Sequence, residues 1–184
     1  MDNNKIIFNV CQDSEFFGRA NEIERIYCCG ASAAKSSYGV YLTGKKWLGK
    51  TELLKRVYHR LFWEQNKVVP VYYRFKDIFC NIKDFADDFL KDFIRQYIAF
   101  LKREPAIVTE GISANKLEQL LADMELPDLS RFLALHREGM KYGDCIAIFK
   151  NAVNAPHQTA VLCNTPVFLI LDDFNLTANL CLHE

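Results

Sequence analysis

Residues Gly44-Lys45-Lys46-Trp47-Leu48-Gly49-Lys50-Thr51 constrain this chain more than any other stretch. Glycine, four free positions, then Gly-Lys-Thr is the spacing of a phosphate-binding loop. The glycines let the backbone curl until successive N–H groups converge in an anion-binding nest. In that arrangement Lys50 sets its ammonium between β- and γ-phosphates, and the Thr51 hydroxyl ligates magnesium. The stretch Gly44 to Glu52 is the expected nucleotide-binding segment, with Lys45, Lys46, Trp47 and Leu48 supplying the loop between the glycines. The helix that follows adds its N-terminal partial positive charge to the phosphate site.

The flanks agree with that reading. Tyr38-Gly39-Val40-Tyr41-Leu42 suits a short buried strand, and Leu53, Leu54, Val57, Tyr58, Leu61 and Phe62 recur at helical spacing. Strand, glycine loop and helix over 38–63 is the context the motif demands.

A chain of 184 residues makes one domain, here 1–184. Half of its residues are hydrophobic and 13% aromatic, enough for a substantial core and too many for a disordered chain. Lys+Arg and Asp+Glu balance at 23 each, so net charge does not indicate nucleic acid or an anionic membrane as partner. No uncharged apolar run approaches membrane-spanning length, and the first residues lack a signal-peptide core. The seven cysteines form no Cys-x-x-Cys pair and read as reduced and mostly buried, which places the chain in the cytoplasm. The four histidines lie far apart without metal-ligand spacing.

Along the chain, Phe8 to Val10 reads as a short strand or a lead-in, Asn21 to Tyr27 as a short helix, and Gly30 to Ser37 as a loop or helix end. Lys67 to Phe75 is a second strand, and Pro70 within it fits an edge or a bulge. A mostly helical segment spans 80–163. It opens with an amphipathic helix on Ile82, Phe85, Phe89, Phe93, Tyr97 and Leu101, a stripe that reads as core. Pro105 to Gly111 breaks the pattern. Helices follow around Asn115–Met124, Asp128–Arg137 and Asp144–Leu162, the last with a break expected near Pro156.

Pro166 to Leu171 is apolar at every position and ends in Asp172-Asp173. A continuous apolar run is what a strand covered on both faces of a parallel sheet requires. An acidic pair at its carboxyl end lies where α/β sheets present chemistry. Asp172 is the expected Mg²⁺ ligand through water, and Asp173 the expected group that orients or deprotonates an attacking water.

The stretch Phe16-Phe17-Gly18-Arg19-Ala20-Asn21-Glu22-Ile23-Glu24-Arg25-Ile26 resembles the Phe-x-Gly-Arg-x-x-Glu-[Ile/Leu] box that precedes the phosphate loop in AAA+-like P-loop ATPases, including the STAND, archaeal-type and replication-initiator groups. Tyr41 to Leu54 is similar to that family's loop segment, and Val167 to Asp173 to its Walker B strand. The resemblance implies an α/β fold of P-loop NTPase type, a parallel sheet flanked by helices. It implies ATP and Mg²⁺ as cofactors, and Phe17, Gly18 and Arg19 lining the adenine side, with the helix from Asn21 closing over the base.

Two departures stand out. The family commonly ends Walker B in Asp-Glu, whereas here the second carboxylate, Asp173, is one methylene shorter. Trp47 stands where smaller or basic residues are usual, either stacking near the nucleotide or covering the loop. The family fold continues past Walker B with a sensor strand and a fifth strand, and this chain ends eleven residues after Asp173. The expectation is therefore a fold truncated after the Walker B strand, with no nameable sensor or arginine finger. The expected function is an ATP-binding module that hydrolyses ATP when complete. The alternative is a non-hydrolysing nucleotide switch or inactive fragment acting through a protein partner or self-association. A small-molecule kinase fits less well, because no acceptor-site motif is visible.

Overall fold

The computed structural model describes residues 7–33, 39–77 and 81–180. It is a mixed α/β structure with seven α-helices and a two-stranded parallel sheet among those residues. Helix α1 spans Ala20–Ala31, α2 Lys50–Glu64, strand β1 Val69–Arg74, and α3 Ile82–Lys102. Then come α4 (Ala106–Thr109), α5 (Ala114–Asp123), α6 (Pro127–Tyr142), α7 (Cys145–Leu162) and strand β2 (Val167–Asp172).

The strands pair in register from Val69 opposite Val167 to Arg74 opposite Asp172. Side chains alternate across a strand, so β1 serves two layers. Tyr72 meets Phe8 at 4.9 Å, on the side of α2, whose Tyr58 lies 5.0 Å from the same ring. Tyr73 points the opposite way and packs edge-on against Phe85 and Phe89 of α3. The aromatic part of the α3 stripe is core as expected, with Phe85, Phe89, Phe93 and Tyr97 all buried, but Ile82 at its start is half-buried and Leu101 at its end is exposed. Its N-terminus is capped by Asn81, whose side chain accepts from the Asp84 N–H. Helices α6 and α7 pack behind α3. Across that layer the buried His136 of α6 lies 3.2 Å from Asp87 of α3 and holds the Asp87 carboxyl below its usual range.

The outer edge of β1 is closed by a side chain. Gln96 of α3 accepts the Tyr72 N–H and donates to the Tyr72 carbonyl, both at 2.8 Å, as a neighbouring strand would. This leaves Pro70, which has no N–H to offer, in a strand flanked by one real neighbour.

Several sequence expectations need correction. Residues 39–42 are not a strand: they lack any strand partner among the described residues, and Val40 and Tyr41 are exposed. Apolar propensity cannot make a strand whose N–H and C=O groups find no neighbour. Tyr38 of that expected strand lies outside the described residues. Phe8 to Val10 is a lead-in, not a strand, and α1 runs longer than expected, from Ala20 to Ala31. Helix α7 passes through Pro156 unbroken, with the buried Ala152 four residues back. Of the cysteines, Cys11, Cys29, Cys145 and Cys163 are half-buried and Cys28 is exposed, so the expected burial fails; Cys80 and Cys181 lie outside the described residues. Strand β2 is covered less than its apolar run implied: Val167, Phe168, Leu169 and Leu171 are only half-buried. No helix among the described residues is long and apolar enough to cross a membrane.

Candidate functional site

Gly44 has φ +155° and Gly49 +72°, values that side-chain-bearing residues rarely adopt, so the two spaced glycines are used for their backbone freedom. Trp47 at the loop tip also takes a positive φ, 69°, and its ring is 99% exposed. It covers nothing, so the expectation that it covers the loop fails. Lys45, Lys46 and Leu48 are exposed beside it.

Lys50 opens α2, with Gly49 as its cap residue. Its ammonium donates to the carbonyls of Gly44 and Lys45, both at 2.8 Å. The side chain therefore folds back over the loop and ties its first residues to the first turn of the helix. Thr51 is half-buried in that turn, and Glu52 follows it. The apolar stripe of α2 then anchors the helix through Leu53, Val57, Tyr58, Leu61 and Phe62, all fully buried. Leu54 stays half-buried.

At the other end, β2 delivers Asp172 in the same register parity as Tyr72, hence toward the face that α2 covers. Asp172 is only 5% exposed. Its Oδ2 accepts the Tyr72 hydroxyl at 2.9 Å, and its Oδ1 accepts the Asp173 N–H at 3.0 Å. Burial, then the adjacent carboxylate, pushes the Tyr72 hydroxyl well above its usual range, so it stays a donor. Asp173 takes φ +54° and accepts from Arg74 Nε at 2.7 Å. That hydrogen bond raises the Arg74 guanidinium further. Tyr72 and Arg74 of β1 thus grip the two carboxylates at the end of β2, Asp172 and Asp173, one each. Sequence reading missed both, because their relevance appears only once the strands are paired.

Magnesium suits the donors present. A Thr hydroxyl, one fixed carboxylate, water and phosphate oxygens form the hard-oxygen set this ion takes, without a dedicated cage. Among the described residues there is no group of three or more His, Cys, Asp or Glu that forms such a cage.

The Phe-x-Gly-Arg box is split by the fold. Phe16 rests against the loop: a Cβ placed on Gly49 meets its ring at 3.8 Å. Phe17 is 80% exposed, Gly18 has φ +77°, and Arg19 caps α1 while half-buried. Val40, Tyr41, Trp47 and Leu48 add exposed apolar surface around the same loop.

No protein-family model, no curated protein and no solved structure matches this chain.

Proposed function

We propose that this chain is the ATP–Mg²⁺-binding module of an AAA+/STAND-like P-loop ATPase working in the cytoplasm, with its sheet and flanking helices of P-loop NTPase type. The observation that carries the reading is the loop itself. Two glycines at positive φ bracket a turn that closes on the Lys50 ammonium at the start of a helix. That arrangement sets one positive group and a helix N-terminus at one point, the combination that favours a polyphosphate. Lys50 would pair with the phosphates, exchanging the Gly44 and Lys45 carbonyls for phosphate oxygens. Thr51 would hold the metal directly and Asp172 through water. Bound Mg²⁺ would neutralise charge on the terminal phosphates.

Thr51→Ala tests this. It removes a metal ligand and leaves Lys50 in place. ATP binding to the unmodified chain should strengthen on adding Mg²⁺, and that gain should be largely absent in the variant. Equal Mg²⁺ dependence in the two proteins would count against the metal assignment.

A second reading, nucleotide binding without turnover, is favoured by the Arg74–Asp173 ion pair. A carboxylate oxygen committed to a guanidinium hydrogen bond is not free to orient an attacking water. If Asp173 is the base, Arg74→Ala frees it, and ATP turnover should rise several-fold. Arg74→Ala combined with Asp173→Asn should abolish that rise. Turnover unchanged or lower in Arg74→Ala would assign the pair a structural role.

A further inference from the structure

Helix α2 handles two parts of the chain at once. Its first turn closes the phosphate loop, and the next two turns hold the backbone of the N-terminal segment. Glu52, Lys55, Arg56 and His59 recur at i, i+3, i+4 and i+7, one face of a helix. The Cys11 N–H donates to Glu52 Oε1 at 2.9 Å, and Arg56 Nη2 donates to the Cys11 carbonyl at 2.6 Å. Lys55 Nζ donates to the Asn9 carbonyl at 2.9 Å. The N–H groups of Phe8 and Ile7 donate to His59 Nε2 at 3.0 and 3.3 Å. Every one of these partners is a main-chain atom, so the ladder fixes the path of residues 7–11 whatever their side chains.

Arg56 joins this ladder to the loop. It is 5% exposed, its Nε donates to Glu52 Oε1 at 3.0 Å, and its guanidinium lies 4.6 Å over the Phe16 ring. Phe16 in turn lies beside Gly49, its ring 3.8 Å from where a Cβ would stand. The contacts therefore run Gly49, Phe16, Arg56, Glu52, and return to the residue beside Thr51. A planar guanidinium can donate to two partners and stack on a ring together, which a lysine ammonium cannot reproduce.

We propose that Arg56 is a positioning residue for the nucleobase end of the site. It holds residues 11–16 against Gly49, so that Phe17, Gly18 and Arg19 emerge beside a nucleotide whose phosphates lie in the loop. This rests on the nucleotide reading of the loop given above. An ordered exit for these residues lowers the entropy lost when they close on a base. The phosphates, held by Lys50 and loop amides, do not depend on it.

Calorimetric titration of the full chain with Mg–ATP and with Mg–tripolyphosphate, which has no base, separates the roles. Arg56→Gln and Phe16→Ala should each weaken ATP binding tenfold or more and change tripolyphosphate binding less than twofold. Arg56→Lys should fall between Arg56→Gln and the unmodified chain, and Lys50→Ala should weaken both ligands. Equal weakening of both ligands by Arg56→Gln and Phe16→Ala, or no effect on either, would overturn the proposal while leaving the loop's role intact. If Arg56→Gln fails to fold, Phe16→Ala decides alone, since it removes a half-buried ring and leaves the ladder's hydrogen bonds in place. An unmodified chain that binds neither ligand overturns this proposal and the nucleotide reading together.

Discussion

Gln96→Leu is expected to destabilise the protein by about 2–6 kcal/mol. The leucine fills nearly the same space, so packing of α3 changes little. What is lost is the pair of 2.8 Å hydrogen bonds that serve the N–H and C=O of Tyr72 on the outer edge of β1. Gln96 is 2% exposed and Tyr72 is buried, so water cannot replace the missing partner. Each stranded backbone group costs about 1–3 kcal/mol. Tyr72 also carries Asp172, so the damage should reach the site: any residual folded protein should bind Mg–ATP less tightly. Urea unfolding followed by circular dichroism checks the first effect. A loss under about 0.5 kcal/mol would mean that the edge relaxes onto another partner.

Acid is the second large lever. His59 is buried, its Nε2 accepts the amides of Ile7 and Phe8, and burial followed by the Arg56 charge holds its imidazole down to about 4. An unfolded histidine titrates near 6.5. Between these values the unfolded chain binds the extra proton, so stability is complete above about pH 6.5 and is lost as pH falls toward 4. The difference should amount to about 2 kcal/mol between pH 7 and pH 5. Protonation also removes the acceptor at Nε2, so the N-terminal segment should detach first. His59→Gln keeps a carbonyl acceptor and has no titration, so its stability should fall less over the same range. Parallel slopes for the two proteins would place the acid response elsewhere.

How much of this was legible in the sequence depended on whether the signal was local. Helices α2 and α3 follow from apolar spacing alone; most of each stripe is buried, while Leu54 and Ile82 at their margins are half-buried and Leu101 is exposed. Strand β2 was legible as an unbroken apolar run, and its partial exposure was not, because coverage depends on which elements lie over it. Residues 39–42 show the same limit from the other side: Val40, Tyr41 and Leu42 have strand propensity but no described partner. The turn between Gly44 and Gly49 was legible, since its glycines and Lys50 act within eight residues. Tyr72, Arg74, Arg56 and Gln96 were not. Each has a partner at least 24 residues away in sequence that its local spacing does not reveal. Gln96 closes a sheet edge through the Tyr72 backbone, a role set by the packing of α3 on β1. Nothing in the residues before the loop marked their division into Phe16 beside Gly49 and Phe17 in solvent.

Calorimetric titration of Mg–ATP into the unmodified chain and into Lys50→Ala tests the central claim most directly. Lys50 makes its described hydrogen bonds to the loop carbonyls of Gly44 and Lys45, so its removal should leave the folded core intact by circular dichroism. The account predicts saturable binding to the unmodified chain and at least tenfold weaker binding to the variant, a loss of about 1.4 kcal/mol or more. Equal affinities in two folded proteins, or no binding to the unmodified chain, would contradict it.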